Sequence, residues 1–372
     1  MRIGIDARLL SQTGVGRYIK NLLTSLAEID QKDEFFIFLR EKDVSNLPAL
    51  PASFKTVFTE IPWHSFAEQL RFPVILFRYR LDAVHFPYFS IPVFYPGRFI
   101  MTVHDLIVDH FDTGKASRQP PPFYRLKRWG YHFLMKVAVA RAKKILAISE
   151  STAKEIYQHY PNSQGKTIIT YDALDLNFQR MAKMGGIQQP KKFADSKYFL
   201  YVGNAYPHKN LDRLISIYAE IYRKVKVKLV LVGDDDYFYP QLKSKVRKMN
   251  AQNCILFYGQ AKDGELAGLY RFSEGLINPS LMEGFGLPLF EAVSAGCLPV
   301  VSDIAAFREI WGDTLIYFDP ENLQSMKEEI IRLLTLSAAE KTKRLEKAQS
   351  LARKFSWKKT AQATLWQYHH IK

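Results

Sequence analysis

This sequence predicts two doubly wound α/β domains, and three observations carry that prediction. Short β-branched and aromatic runs alternate with longer helical stretches along the whole chain. Many of those runs are continuously apolar, as parallel strands covered by helices on both faces require. The pattern also runs down after Asp172 and restarts at Tyr198. Strands separated by helices imply right-handed crossovers. A chain of 372 residues also exceeds the size at which one hydrophobic core usually stays single.

In the first half the expected strands are Arg2–Asp6, Glu34–Arg40, Thr56–Ile61, Ala83–Phe86, Arg98–His104, Lys144–Ile148 and Thr167–Tyr171. In the second half they are Tyr198–Gly203, Lys228–Gly233, Ile255–Tyr258, Gly275–Asn278, Leu298–Ser302 and Leu315–Phe318. Polar, Pro/Gly-bearing text around Met184–Lys192 reads as an interdomain linker. The expected division is a first domain over 1–175, a linker over 176–196 and a second domain over 197–354.

Composition narrows the function classes. A hydrophobic fraction of 47% with 24% charged residues is ordinary for a globular protein and argues against disorder. Cys254 and Cys297 stand far apart without metal-ligand spacing, which suggests a reducing compartment and no disulfide framework. The opening Met-Arg-Ile-Gly-Ile-Asp reads as a strand and lacks signal-peptide features. The longest apolar candidate, Phe133–Ile148, is broken by Lys136, Arg141, Lys143 and Lys144. A cytoplasmic location, or one peripheral to a membrane, is therefore expected. A net charge of +15 is compatible with nucleic acid, anionic lipid or a phosphorylated small molecule.

In doubly wound sheets ligands sit beyond the carboxyl ends of the strands, so motifs belong just after each strand. The strongest runs from Asn278 through Glu283-Gly284-Phe285-Gly286-Leu287-Pro288 to Glu291 and Ala292. Pro288 suits the first helical turn. Gly284 and Gly286 let a backbone approach a ligand at the positive end of that helix, which makes a phosphate cradle. Glu291, about one turn into the helix, can accept two hydrogen bonds from a ribose diol. Glu283, before the turn, can meet the sugar or its leaving group.

This segment resembles the Glu-x7-Glu signature of the family 4 glycosyltransferases. The resemblance extends to Arg2–Leu23, to Tyr201–Leu211 and to Phe355-Ser356-Trp357. It implies the GT-B fold, two Rossmann-like domains facing across a cleft, with 355–372 crossing back onto the first domain. It also implies retaining transfer from a nucleotide-diphospho-sugar. The openings of the two domains resemble those of bacterial mannosyltransferase-like members, which points first to GDP-mannose; a UDP- or dTDP-sugar remains open.

The resemblance also assigns residues. Gly14 and Gly16, between the first strand and first helix, would let a backbone meet a diphosphate. A nicotinamide-binding loop is the competing reading, but the third glycine position is Ile19 and the second strand ends at Arg40 without the ribose-binding acid. Lys209 would neutralise the departing diphosphate. Asn204 stands where the family often has arginine, and Arg17 or His208 could compensate. His104, in Thr-Val-His-Asp-Leu, would hydrogen-bond a sugar. Gly259 lies at the expected base pocket, where backbone contacts dominate, and Phe285, Gly286 and Leu287 complete the donor loop. Catalytic roles fall to His104, Lys209 and Glu283. Asp234-Asp235-Asp236 reads as a loop and helix start, so no metal or other cofactor is expected.

From Thr113 to Ser149 there are nine Lys/Arg and no acid. Apolar positions 123, 126, 130, 133, 134 and 137 recur with helical spacing beside a basic stripe. The apolar stripe is expected to pack on the sheet, and the basic stripe of 115–144 to face an anionic membrane, where polyprenyl-linked or lipopolysaccharide acceptors lie. No nucleic-acid-binding motif accompanies the charge. A sugar-nucleotide epimerase would need acid/base groups that do not map here, and a noncatalytic glycosyltransferase-like subunit remains the alternative that Asn204 motivates.

Overall fold

The structure is a computed structural model describing residues 1–111, 121–183, 187–193, 196–234 and 237–371. In chain order its first elements are β1 (Arg2–Asp6), α1 (Gly14–Ile29), β2 (Glu34–Leu39), β3 (Phe54–Phe58), α2 (Phe66–Arg78), β4 (Ala83–Phe86), β5 (Phe99–Val103) and α3 (Ile107–His110). Next come α4 (Pro121–Arg141), β6 (Lys144–Ala147), α5 (Glu150–His159), β7 (Thr167–Ile169) and α6 (Leu176–Lys183). After these follow β8 (Tyr198–Val202), α7 (Leu211–Val225), β9 (Lys228–Val232), α8 (Tyr239–Lys248), β10 (Ile255–Gly259), α9 (Asp263–Arg271), β11 (Gly275–Asn278) and α10 (Leu287–Ser294). The chain ends with β12 (Pro299–Ser302), α11 (Ala305–Trp311), β13 (Ile316–Phe318), α12 (Leu323–Thr335), α13 (Ala338–Ala352) and α14 (Trp357–His369).

These elements divide into two compact units. Among the described residues, the first holds 1–106, 121–172 and 356–371, and the second holds 107–111 and 173–355. Part of the stretch read as a linker is ordered: α6 packs on α9, with Asn177 Nδ2 donating to Asp263 Oδ2 at 2.6 Å. Residues 184–186, 194–195 and 235–236, including two of the three consecutive aspartates, lie outside the described residues, as do 115–120 of the basic stretch.

The first unit is built on a parallel sheet in the order β3-β2-β1-β4-β5-β6-β7. Strands β1, β2, β4, β5 and β6 are buried along nearly their whole length, β5 (Phe-Ile-Met-Thr-Val) completely, which explains the absence of polar alternation in their sequences. The edge strand β3, which begins before the expected Thr56, exposes Lys55, Thr56 and Phe58. Successive connections run outward in both directions from the β1/β4 junction, the topological switch point. Just past that junction Arg8 is buried between Asp6 (2.6 Å) and Glu68 of α2 (2.6 Å) and lies 3.9 Å from the Phe72 ring. This network locks one face of α2 inward.

Helix α14 closes the same unit. Trp357, buried, meets Tyr18 of α1 edge-on at 5.6 Å, and Tyr368 hydroxyl bonds His85 Nδ1 of β4 at 2.6 Å. Ser356 caps the helix through Lys359 N. The second unit carries a parallel sheet in the order β10-β9-β8-β11-β12-β13. Among the described residues no helix is long and apolar enough to cross a membrane.

One expectation needs correction. In α4 the side chains that reach the core are Met135, Ala138 and Val139, whereas Leu126 and Phe133 of the expected core stripe, with Trp129, are exposed. Among the described residues, full burial on this helix is confined to its last two turns, Met135 onward.

Because α14 supplies core side chains to the first unit, Trp357→Ala should lower the stability of that unit by about 3–5 kcal/mol. Urea unfolding followed by near-ultraviolet circular dichroism measures it; a loss below about 1 kcal/mol would show that the helix is not part of the core.

Candidate functional site

In the second unit β8 and β11 are neighbours, paired in parallel with Leu276 opposite Leu200. The chain leaves β8 toward β9 on one side and β11 toward β12 on the other. Their following loops therefore meet at the switch point, where a crevice forms. The loop after β8 carries Asn204 and Lys209; the loop after β11 carries Glu283 and leads into α10.

The two loops are joined by their charges. Lys209 Nζ lies 2.7 Å from Glu283 Oε1, and Ser280 Oγ donates to the same oxygen at 2.7 Å. Leu281 N donates to the His208 carbonyl at 2.7 Å, fixing the loops together at the backbone as well. Burial works to raise the Glu283 carboxyl, but the charge of Lys209, His208 nearby and the hydrogen bonds from Lys209 and Ser280 prevail and hold it below its ordinary value. Glu283 is thus an ionised, oriented carboxylate, poorly suited to giving up a proton.

His208 does not replace the family arginine. Burial pushes its imidazole down to about 3, with Lys209 contributing in the same direction, so it is neutral. Its Nδ1 is buried without a partner. Asn204 is committed to its own turn, its Oδ1 accepting from Tyr206 N at 3.4 Å. Positive charge on the Asn204–Lys209 loop is therefore Lys209 alone.

Helix α10 begins at Gly286, whose φ of 91° is left-handed. A Cβ there would come within 2.6 Å of Phe307 Cε1, so glycine is required both by conformation and by space. The first bond within the turn is Leu289 N to Gly286 O, and the backbone around Gly286 and Leu287 forms the positive helix end. Phe285 packs against Phe290 (4.9 Å, stacked) and Phe355, so its ring serves the core and only its main chain can face a ligand. Glu291, one turn on, is buried, and Tyr270 of α9 donates to its Oε2 at 2.9 Å. Gly259 ends β10 in a left-handed conformation with open space around it, two strands away from β8.

The first unit holds Gly14, Gly16 and His104. Gly14 is open at the start of α1, but a Cβ on Gly16 would meet the Leu10 carbonyl oxygen at 2.4 Å. Glycine at 16 is thus required by the chain's own loop, whatever binds there. His104 follows β5, its Nε2 2.9 Å from the Pro87 carbonyl and its ring 4.9 Å from Tyr18. A carbonyl can only accept, so Nε2 carries the proton and Nδ1 is left as an acceptor. Burial lowers this imidazole to about 4 against the opposing pull of that hydrogen bond. Folding also brings Asp30, Asp33 and His369 within 4.8 Å, a cluster that no local spacing announced. Asp33 there already pairs with the N-terminal ammonium and with His369, each at 2.5 Å.

Two descriptions of known families match the two halves of this chain: Glycosyltransferase Family 4 over residues 12–178 and Glycosyl transferases group 1 over residues 186–351. The chain belongs to these glycosyltransferases. An O-antigen chain mannosyltransferase B from Escherichia coli is 24% identical over 376 aligned positions, covering 96% of both chains. The O-antigen chain mannosyltransferase RfbU of Salmonella typhimurium is 27% identical over 233 residues; that match takes in 62% of this chain and only 59% of the relative. Among solved structures, a sucrose-phosphate synthase from Thermosynechococcus elongatus superposes with a TM-score of 0.77 at 18% identity, covering 100% of this chain and 99% of that one. This glycosyltransferase therefore has the GT-B fold of two parallel-sheet α/β domains.

Ser280 and Tyr270 were not foreseen as parts of the site. Ser280 stands inside the Asn278–Ala292 motif, three residues before the Glu283 it bonds, whereas Tyr270 reaches Glu291 from α9, where no periodicity or spacing marks it.

The buried pair yields a double-mutant cycle. Lys209→Met leaves an ionised buried carboxylate and should cost on the order of 3 kcal/mol, whereas adding Glu283→Gln should restore much of the loss; additive losses in urea titrations would disprove the coupling. The histidines yield a pH dependence. His85 (burial first, then His104, to about 3), His104 and His208 all have depressed values in the folded chain. Their contribution is fully present above an unfolded value of ~6.5 and is lost as pH falls toward 4 and 3. Stability should drop by roughly 1–3 kcal/mol per histidine across that window, and Thr102-bonded His85→Asn should flatten the slope seen in pH-dependent unfolding.

Proposed function

We propose that this glycosyltransferase moves a hexose, mannose from GDP-mannose by first choice, from a nucleotide-diphospho-sugar to a glycan or lipid-linked acceptor in surface polysaccharide synthesis. The observation that carries the reading is the arrangement at the β8/β11 switch point: a lysine held by a carboxylate, a helix start beside it and a buried glutamate one turn further on. The O-antigen mannosyltransferases among the relatives support the mannose choice and the surface-polysaccharide setting. In this reading the protein works in the cytoplasm, at the inner face of a membrane.

Each residue then has a task that its geometry suits. Lys209 and the N-terminal end of α10 receive the diphosphate, so the charge that builds on the leaving group is met by groups already in place. Arrival of the phosphates gives Lys209 a second anion and frees Glu283 to accept from a sugar hydroxyl. Glu291, steadied by Tyr270, takes the ribose diol, with the base near Gly259. His104, a neutral acceptor at Nδ1, takes a hydrogen bond from a sugar hydroxyl. Glu283 serves here as an orienting, electrostatic group rather than as the nucleophile of a covalent intermediate. A same-face reaction follows, in which the leaving phosphate accepts the acceptor's proton and configuration is retained. In this scheme no metal is required.

Thermal-shift titration against GDP-, UDP- and dTDP-sugars tests the donor. Saturation at a hundred times the dissociation constant adds ~2.7 kcal/mol, and Glu291→Ala should abolish the shift while leaving the apo protein folded. Unchanged donor affinity in calorimetry with that variant would falsify the site assignment.

A further inference from the structure

Helix α2 is apolar on two opposite sides. Its inner side, Phe72 and Leu76 with Glu68 bonded to Arg8, is buried. Its outer side presents Phe66 (91% exposed), Leu70 (66%), Val74 (53%) and Phe77 (70%). Their spacing of four, four and three residues puts these four on one stripe. Soluble proteins scatter exposed large apolar residues singly; a continuous stripe marks an interaction surface.

The charges around the stripe identify its partner. The charged side chains exposed on α2 are arginines, Arg71 and Arg78, and Arg80 follows just beyond it; the next exposed charge, Asp82, accepts from Arg2 N at 2.7 Å. Arg78 and Arg80 open onto a groove of about 680 Å³ that runs from the end of the stripe to Tyr95. The apolar surface continues past the helix. Gln69 of α2 bonds Val93 N and the Ile91 carbonyl, and Arg141 of α4 bonds the Val93 and Tyr95 carbonyls. That shared loop exposes Phe94, and α4 exposes the stacked Trp129 and Phe133. A protein partner would need acidic groups against the arginines and an apolar ridge between them. A leaflet of anionic lipid offers both at once, headgroup phosphates over acyl chains.

We infer that the outer stripe of α2 lies in the headgroup–acyl boundary of an anionic membrane, with Arg78 and Arg80 in the adjoining groove binding a lipid phosphate. The stripe begins next to the loops that follow β1 and β4, where Ser65 caps the helix and Glu68 meets Arg8 and Ser90. A membrane along α2 therefore reaches the carboxyl-end side of the first unit's sheet, the side that carries His104. This connection to a lipid-linked acceptor rests on the glycosyltransferase reading; the membrane contact itself does not.

The test is co-sedimentation of the full chain with vesicles of phosphatidylcholine, with and without phosphatidylglycerol. The expected result is pelleting with the anionic vesicles that weakens as salt rises. Arg78→Glu/Arg80→Glu should reduce it by about tenfold or more, and Phe66→Ser/Leu70→Ser/Phe77→Ser should abolish it. All five positions are exposed, and donor-induced thermal shift in the same variants reports on fold and donor site. If no donor binds, the glycosyltransferase reading fails while the membrane result stands or falls by itself. Failure of the wild type to pellet with anionic vesicles overturns the inference. So does a stripe variant that pellets normally, or one whose only change is a shift from dimer to monomer in sedimentation velocity, which would make the stripe an interface between two copies.

Discussion

The parallel pairing of β8 with β11 is the constraint on which the candidate site depends. Two strands far apart in the chain become neighbours, and their onward connections diverge to leave a crevice beyond their carboxyl ends. Into that space the chain sends a lysine from one loop and a glutamate from the other. The carboxylate is desolvated, and the charge of Lys209, with His208 nearby and the hydrogen bonds from Lys209 and Ser280, holds it below its ordinary value. The pair secures the two loops to each other, and the proposed reaction asks it to redistribute toward a diphosphate.

Glycine serves two different masters in this protein. Gly286 is fixed by the left-handed start of α10 and by Phe307, and the proposed function adds a ligand at the helix end as a second demand. Gly16 is fixed by the Leu10 carbonyl, a purely internal demand. A Gly-x-Gly pattern looks the same in either case, which is why such a motif is weak without its tertiary surroundings. The histidines make a parallel point. His208, a candidate substitute for a missing arginine, is buried and neutral, while His104 is neutral with its proton assigned by a single carbonyl.

The first unit shows how one helix can be both core and surface. Arg8, trapped between Asp6 and Glu68, turns one face of α2 inward and thereby commits the opposite apolar face to the outside. Helix α4 repeats the arrangement in part, its last turns buried and its earlier turns exposed. Apolar periodicity reports that a helix has a greasy stripe; it cannot report whether a sheet is there to receive it.

By itself the sequence determined twelve of the thirteen strand positions closely, because apolar runs are what a doubly covered parallel sheet demands, and displaced the largely exposed edge strand β3. The loops after the strands were marked as the place for a site. It also determined the glutamate pair, since a Gly-rich helix start and a carboxylate one turn later are local facts. Tertiary structure alone decided that Lys209 and Glu283, 74 positions apart, form one buried ion pair, that Tyr270 steadies Glu291, and that Trp357 and Tyr368 of α14 meet Tyr18 and His85. It also decided which apolar stripes face water. The reason is common to all four: strand order and helix docking set distances between residues remote in sequence, and a pattern with a period of a few residues carries no information about them.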